Sequence, residues 1–452
     1  MFQATYLDGG MLMTQSASLP ILAGSCVGGG TTINWTTSFP LREPTRAEWD
    51  AISGLSLFAS SRMEESFRRV SERSGVNLEN SVPGIRDQIL ERGLRACGWH
   101  VDVIPRNATG CHHGLECGYC GFGCRPNAKN STAKTYLSDA VAAGARVIPR
   151  CEADRVLVER GRVTGVSARA RTQDGRVVPV TVRARAVIAA CGTIHTPGLL
   201  ARSGLTNANI GRNLHLHPVS GVIGTFPERV EPWSGDLQTR HSDQFANQDG
   251  RWYGAKLETG PIHWALPASA FGWDDPIQHR RDIGRLANTC AVGVLLRDRD
   301  AGRVVTGRDG RPRAHYELSR YDAAHLRTAM LGAAQVLAAA GAEDLMTLQQ
   351  PPARVRPGSN GWLERLSAAV DSRGVDRCRM ALISFHQMGT CAMGGGPDRG
   401  VIGETGETFD LKGLYVVDGA LIPGSTTCVN PILTIAAIAE RCLETIVAED
   451  LK

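Results

Sequence analysis

The chain has 452 residues, of which 42% are hydrophobic and 21% charged, and its formal net charge is +5. That length is enough for two domains with sizeable cores, and because the basic residues are spread out without a basic run, a nucleic-acid partner is not indicated. No segment has the roughly 18 uncharged apolar residues of a membrane span. The thirteen cysteines are an odd number and many lie in apolar runs, which fits a reducing compartment better than a secreted disulfide framework. We therefore expect a soluble, cytoplasmic protein.

A glycine-rich loop, GSCVGGGTTINWTTSFP, occupies residues 24–40. Three successive glycines let the backbone adopt positive φ angles and approach a ligand closely. Taken alone, such a triplet is more typical of a turn than of a binding site. The rest of the first hundred residues is predicted to be helical and polar, with ERGLRACGW ending a helix near Gly98.

A cysteine-rich segment follows, CHHGLECGYCGFGCRPNAK, with Cys111, Cys117, Cys120 and Cys124. A CxxC pair with further cysteines nearby has a spacing that could hold zinc or an iron–sulfur cluster. A disulfide or simple packing of the thiols is the alternative interpretation.

The next part of the chain alternates between helix and strand patterns. Residues 131–145 predict a helix, residues 145–170 predict strands joined by a glycine turn, and residues 183–192 predict a buried strand. That last strand runs through a glycine turn into a helix entered at Thr196-Pro197. Such turns are where α/β folds bind ligands, although many are merely structural.

The middle of the chain contains a weakly patterned region and a clear helix. Residues 227–278 are rich in Trp, Gly, Pro and Asp and are interpreted as irregular strands and loops around a cavity. Residues 319–342 predict a helix because Ser319 can cap it, apolar residues recur on one face, and Gly341 can end it.

The last seventy residues carry most of the chemical signal. His386 lies in the apolar stretch SFHQMGTCAMG, where a neutral imidazole could act as a base, although a lone histidine of this kind is more often a core residue. A buried strand, LYVV, leads to Asp418 and a glycine turn, and Asn430-Pro431 begins an amphipathic helix with Asn430 as its N-cap. A helix N-terminus also stabilises an anion in front of it, so Asn430 could have both roles.

Four segments in this order resemble the glucose-methanol-choline (GMC) family of FAD-dependent oxidoreductases. They are GGGTTIN, GTIHTPGLLARSGL, NIGRNLHLHPVSG, and HQMGTC together with VVDGALIPGSTTCVNP. The cysteine-rich insert and GTCAMG are most similar to the subgroup of long-chain alcohol oxidases and related dehydrogenases. Some sugar dehydrogenases of the family carry an iron–sulfur cluster, but with a different cysteine spacing.

The resemblance implies an α/β fold of mixed α+β character. We expect an FAD-binding domain built from residues 1–44, 100–225 and 380–452. It would be interleaved with a substrate-binding domain, an antiparallel sheet with helices, formed by residues 45–99 and 226–379.

The resemblance also implies oxidation of the CH–OH group of a small-molecule alcohol. His386 would take the hydroxyl proton, Asn430 would hydrogen-bond the oxygen, and the hydride would pass to the flavin of FAD. Oxygen or a separate electron acceptor would reoxidise the flavin. The residues expected to contact FAD are Gly28, Gly29, Asn34, Val156, Asp418, Gly419 and Pro431.

One departure from the family concerns its first structural unit, a βαβ element whose GxGxxG turn places the FAD pyrophosphate on a helix N-terminus. Such a unit takes roughly 30 residues, whereas 23 residues precede Gly24. We therefore expect that the reading frame starts upstream of Met1, that the unit has been lost, or that a second chain supplies it. Two other hypotheses compete with an active enzyme: a catalytically silent GMC-fold remnant, and a cysteine-cluster metal or electron-transfer protein.

Overall fold

The computed structural model describes residues 1–114, 116–263, 272–375 and 378–449. Its α-helices are α1 (Phe2–Thr5), α2 (Gly30–Ile33), α3 (Glu43–Ser53), α4 (Ser61–Ser74), α5 (Ile85–Ala96), α6 (Tyr136–Ala142), α7 (Gly192–Arg202), α8 (Pro276–Gly284), α9 (Arg320–Ala339), α10 (Trp362–Arg373) and α11 (Ile432–Glu449). Its strands are β1 (Val76–Asn77), β2 (Asp102–Val103), β3 (Arg106–Asn107), β4 (Cys151–Glu159), β5 (Arg162–Arg171), β6 (Val177–Arg183), β7 (Val187–Ala189), β8 (Arg212–Leu214), β9 (Val219–Thr225), β10 (Arg240–Phe245), β11 (Ala255–Gly260), β12 (Thr289–Leu296), β13 (Gly302–Thr306), β14 (Pro312–His315), β15 (Asp344–Thr347), β16 (Arg354–Val355) and β17 (Leu414–Val416).

A seven-stranded antiparallel sheet forms one half of the molecule, in the order β16-β15-β9-β12-β11-β10-β2. Successive side chains of a strand point to opposite faces, and β11 uses both. Leu257 is fully buried in a core shared with α5 and α9, whereas Lys256 and Glu258 lie on the opposite face. Burying a leucine of this kind contributes about 1.5–3 kcal/mol to the stability of the folded state. This gain fixes the register of β11, so the two charged residues face away from the helices.

The helices α5 and α9 approach each other closely on the covered face of this sheet. A Cβ atom added to Gly93 of α5 would lie 2.1 Å from the carbonyl oxygen of Val336 in α9. Glycine at this position is therefore explained by the helix contact, since any larger residue would push the two helices apart.

The other half of the molecule is organised around the parallel pair β7 and β17, in which Leu414 is aligned with Val187. Helices α4, α7 and α11 contribute to the same core, which also contains the antiparallel strands β4 and β5. Because parallel strands end at the same edge, the residues after β7 and after β17 lie side by side. Asp418, just after β17, accepts a hydrogen bond from the backbone N–H of Gly192, just after β7, at 2.8 Å.

Several predictions about elements are confirmed, as is the mixed α/β fold class. The helix predicted within residues 319–342 is α9, and the Ser319 hydroxyl accepts a hydrogen bond from the Asp322 backbone N–H at 3.1 Å. The buried strand predicted within residues 183–192 is β7, and the helix predicted to end near Gly98 is α5.

Other predictions need correction. Within residues 227–278, predicted as irregular strands and loops, β10 and β11 are paired strands of the sheet, with a register irregularity between Ser242 and Phe245. Residues 264–271 lie outside the described part of the chain. The strands predicted from residue 145 onward begin only at Cys151, and the helix predicted for 131–145 is confined to α6.

The predicted domain boundaries stay a prediction. Trp49 and Met63, from the segment assigned to the substrate-binding domain, pack in the same core as Leu414 and Ile438. Among the described residues, none of the helices combines the length and the apolar character that crossing a bilayer requires.

Candidate active site

A cavity of about 1300 Å³ lies between the two halves of the molecule. Its walls are the glycine-rich loop, the N-termini of α7 and α11, strands β4, β11 and β12, and the segment Ile383–Gln387. Most small-molecule pockets measure about 300–1,000 Å³. The cavity is therefore large enough for a dinucleotide cofactor together with a substrate.

The glycine-rich loop forms one wall of this cavity, and it contains a buried polar side chain without a hydrogen-bond partner among the described residues. Gly29 has a φ of 53°, and a Cβ added there would find no atom within 4 Å, so the backbone faces open space. Both polar atoms of the Asn34 side-chain amide are buried and have no hydrogen-bond partner among the described residues. Because buried polar groups are normally paired, the Asn34 amide is expected to bond a ligand of the cavity.

Lys129 holds this loop from behind. Its ammonium is buried and donates hydrogen bonds to three backbone carbonyls, those of Thr32, of Asn34 at 3.0 Å and of Cys120 at 2.8 Å. Burial lowers the pKa of Lys129 to about 8. Lys129 was not among the predicted site residues, although it is the last residue of the cysteine-rich segment.

The turn after β7 forms a second wall. Gly192 has a φ of 80°, which a residue with a side chain rarely adopts, and it starts α7 at the cavity. Asp418 fixes this turn because its carboxylate accepts hydrogen bonds from the Gly192 N–H, from the Thr196 hydroxyl at 2.5 Å and from the Ala420 N–H at 2.7 Å. The free N–H groups at the start of a helix suit a phosphate.

A histidine and an asparagine meet on a third wall. Nδ2 of Asn430 is 3.1 Å from Nε2 of His386. His386 lies on the segment after Ile383, and Asn430 directly precedes Pro431 and α11, so two distant parts of the chain bring the pair together.

Two further side chains, which are not among the residues lining the cavity, contact this pair. Nδ1 of His217 is 3.3 Å from Nδ1 of His386, and the ammonium of Lys256 donates to Oδ1 of Asn430 at 3.0 Å. His217 and Lys256 are fully buried. Neither residue was predicted to belong to the site. His217 lies in the family-like segment NIGRNLHLHPVSG, and Lys256 lies in the weakly patterned residues 227–278.

The electrostatics keep the histidines neutral. Burial, repulsion from His217 and repulsion from Lys256 hold the pKa of His386 well below its usual value of 6.5. Burial lowers the pKa of His217 to about 4, against the opposing attraction of the Asp298 carboxylate. A neutral imidazole at pH 7 can accept a proton, which is what a general base requires.

The structure brings most of the predicted site residues to the cavity. Those that line it are Gly29, Asn34, His386, Asp418, Gly419, Asn430 and Pro431. Gly28 is not among the lining residues, and the Val156 side chain is buried in the core of the half built around β7. On β4 it is Cys151, Glu152 and Ala153 that reach the cavity.

The Asn430 side chain, predicted as an N-cap and a substrate contact, makes two hydrogen bonds within the site. Its Oδ1 accepts from the Lys256 ammonium and its Nδ2 contacts His386. A charged donor makes a stronger hydrogen bond than a backbone N–H, so the side chain is committed to the site.

The predicted metal or iron–sulfur site is not supported. The four cysteines Cys111, Cys117, Cys120 and Cys124 are free, and the described residues contain no group of three or more His, Cys, Asp or Glu side chains arranged to hold a metal. Burial raises the pKa of Cys111 to about 11 and that of Cys117 to about 12. The Cys117 thiol instead lies 3.8 Å from the Asp236 carboxylate.

A large cavity lined by glycine turns, helix N-termini and a neutral histidine is the arrangement of a cofactor-binding enzyme of mixed α/β fold. Two models of the GMC oxidoreductase family match the chain, the N-terminal one over residues 2–219 and the C-terminal one over residues 298–439. The chain belongs to the GMC oxidoreductase family. The prediction of FAD as the cofactor is thereby confirmed.

The similar curated proteins include long-chain-alcohol oxidases of Arabidopsis thaliana. The chain is 33% identical to FAO4A over 463 residues, covering 99% of this chain and 62% of the relative. It is 32% identical to the GMC-type oxidoreductase Rv0492c of Mycobacterium tuberculosis, covering 94% of this chain and 65% of that protein. The chain thus spans less than two thirds of the length of these relatives.

Solved structures share the fold at low sequence identity. Pyridoxine 4-oxidase from Mesorbium loti has a TM-score of 0.69 at 16% identity, with 95% of this chain and 85% of that chain covered. A formate oxidase variant from Aspergillus oryzae RIB40 also has a TM-score of 0.69, at 14% identity and the same coverage.

Proposed function

We propose that the chain oxidises the CH–OH group of a small-molecule alcohol, with His386 as the general base. The observation that carries the proposal is the pairing of a neutral histidine, through Nε2, with the Asn430 amide on the wall of a cofactor-sized cavity. A base and a hydrogen-bond donor that lie side by side can both bond one hydroxyl group that displaces the direct hydrogen bond between them.

The proton chemistry follows from these two side chains. The alcohol would displace the Asn430–His386 hydrogen bond. Its hydroxyl would then donate its proton to Nε2 of His386, while Nδ2 of Asn430 would donate a hydrogen bond to the alcohol oxygen. The positive N-terminus of α11, directly after Asn430 and Pro431, stabilises negative charge that develops on that oxygen. Both groups therefore interact more strongly with the transition state than with the bound alcohol.

The residues around the cavity fit FAD. The unsatisfied Asn34 amide, the open backbone at Gly29 and the α7 N-terminus beyond Gly192 supply donors and space for a polar, phosphate-bearing cofactor. When bound, FAD supplies the acceptor for the two electrons and the hydrogen that leave the carbinol carbon.

The similarity to enzymes named long-chain-alcohol oxidases makes aliphatic primary alcohols the first substrates to test. The cavity wall that includes His386 has apolar members, Trp35, Leu295 and Phe385, which suit an alkyl chain.

We also propose the domain boundaries expected from the sequence. In addition, we propose a cytoplasmic location, which the free thiols support.

The test is anaerobic reduction of the FAD-loaded chain by a series of alcohols of rising chain length. Bleaching of the flavin absorption by an alcohol, and not by the matching alkane, is the expected result. An unbleached flavin with every alcohol, in protein that a chemical reductant can bleach, would overturn the proposal.

A further inference from the structure

Four buried or half-buried side chains form one continuous hydrogen-bonded chain through the wall of the cavity. In order they are His217, His386, Asn430 and Lys256, with contacts of 3.3, 3.1 and 3.0 Å. The carbonyl of Thr426 terminates the chain at the His217 end. Each link has a donor and an acceptor, so the direction of every proton can be worked out from the two ends.

The direction at the first end is set by a backbone carbonyl, which can only accept. Nε2 of His217 is 2.7 Å from the Thr426 carbonyl oxygen and must carry the proton. The Thr426 hydroxyl hydrogen is directed to the Val429 carbonyl at 2.7 Å, so this hydroxyl also offers Nε2 a lone pair. Nδ1 of neutral His217 is therefore an acceptor, and Nδ1 of His386 must donate to it.

The direction at the other end is set by an ammonium, which can only donate. Lys256 donates to Asn430, so the atom of the Asn430 amide that faces it is the oxygen. The Nδ2 group then faces His386 and donates to Nε2. The two ends thus require the same arrangement independently: His386 carries its proton on Nδ1 and its lone pair on Nε2.

We propose that His217 and Lys256 are positioning residues, which fix the tautomer of His386 and the orientation of the Asn430 amide. The inference rests on the proposed function for its catalytic consequence, because the Nε2 lone pair and the Nδ2 donor are the groups that would bind the alcohol hydroxyl. Without them, either side chain could rotate or exchange its proton, and the site would present two donors or two acceptors to the substrate.

The surroundings of Lys256 explain how a buried cation is tolerated beside the site. Its ammonium is 3.0 Å from the Glu258 carboxylate, two residues along the same strand, and 4.5 Å from the centre of the Phe39 ring. A buried ammonium is costly unless it is paired. The ion pair and the ring contact offset that cost, and they hold the cation where it can orient Asn430.

The first test reads the tautomer directly. In ¹⁵N-histidine-labelled protein at pH 7, the ring nitrogens of His386, assigned by their loss in H386Q, are expected to show the proton on Nδ1. His217 is expected to show the proton on Nε2. A proton on Nε2 of His386 would overturn the inference, whether or not the chain oxidises an alcohol.

A matched pair of substitutions tests His217. The amide of H217Q can reproduce the Nε2 donor to Thr426 but offers no acceptor to His386, whereas the H217N oxygen can replace the Nδ1 acceptor. We expect H217Q to slow flavin reduction by about 10- to 100-fold, less than the roughly 10⁴-fold loss on replacing the charged orienting carboxylate of a serine-protease triad. H217N should lose clearly less than H217Q, and equal rates for the two variants would refute the role of His217.

A double-mutant comparison tests Lys256. K256M combined with E258Q removes both charges and avoids an unpaired buried carboxylate. We compare the rate of flavin reduction of the K256M/E258Q variant with that of E258Q. With Asn430 present, K256M should slow the reaction strongly, and in proteins that also carry N430A it should have no further effect. An equal loss in both backgrounds would mean that Lys256 acts through structure alone, which would overturn its assignment.

These results separate the inference from the proposed function. If no alcohol bleaches the flavin of the unaltered protein, the proposed function fails, but the ¹⁵N measurement still decides the tautomer. If alcohols are oxidised while His386 carries its proton on Nε2, the function stands and the positioning roles fail.

Discussion

Replacing His386 with alanine is the sharpest test of the proposed chemistry. The substitution removes the proton acceptor but leaves the Lys256 ammonium bonded to the Asn430 amide, so the oxygen-binding group stays in place. General-base catalysis contributes about 10²- to 10⁴-fold, which corresponds to about 2.7–5.4 kcal/mol at 1.36 kcal/mol per decade. We therefore expect H386A to lower the rate of flavin reduction by this factor with little change in KM.

The assay is anaerobic stopped-flow reduction of FAD-loaded protein by the best alcohol substrate, with the resting flavin spectrum recorded first. A matched control is H325A, since His325 lies in α9, outside the cavity wall, and its Nδ1 is hydrogen-bonded to the Tyr321 carbonyl one turn earlier, at 2.9 Å. The control should react like the unaltered protein. Near-normal reduction of H386A, with an unchanged resting spectrum, would refute the assignment of His386 as the base.

Four other predictions address pH, cofactor, packing and metal. Because the pKa of His386 is held well below 6.5 and only the neutral ring accepts a proton, kcat/KM should stay constant as pH falls to 6.5 and decline only below it; a decline centred at or above 6.5 would contradict this. Replacing Asn34 with alanine should weaken FAD binding by about tenfold, the value of one buried hydrogen bond, in a fluorescence titration, without destabilising the flavin-free protein; unchanged affinity would show that the amide does not bind FAD. G93A should lower the free energy of unfolding by about 1–3 kcal/mol through overpacking against Val336 in urea titrations, whereas G284A, with open space around its Cβ, should not. Purified protein should contain no stoichiometric zinc or iron by elemental analysis; one equivalent held by the four cysteines would show that they form a metal site after all.

Local patterns in the sequence predict the elements whose stability is local. Helix α9 follows from its cap and its apolar face, and β7 follows from a continuous apolar run ending in glycine. His386 and Asn430 were selected through the resemblance to a family, since neither residue differs locally from a core histidine or a helix cap. That the two side chains touch could be known only from the fold.

Lys256, Glu258 and His217 could not be predicted as site residues for a physical reason: what places them at the site is the fold and not the local sequence pattern. In β11, Lys256 and Glu258 alternate with the buried Leu257, a pattern that is identical for a strand facing solvent and for a strand facing an internal cavity. His217 matters through a distance to a residue 169 positions away. For Val156 the sequence does not show which way the side chain points: its strand reaches the cavity, as predicted, while its own side chain points into the core.

The hydrogen-bonded chain through the cavity wall also has a consequence for folding kinetics. Its links join residues separated by 169, 44 and 174 positions in the sequence, so the site has a very high contact order. Contacts of this kind form late, after the entropy of closing long loops has been lost. Catalytic competence should therefore return only with the last step of refolding, after helix signals and compactness have recovered.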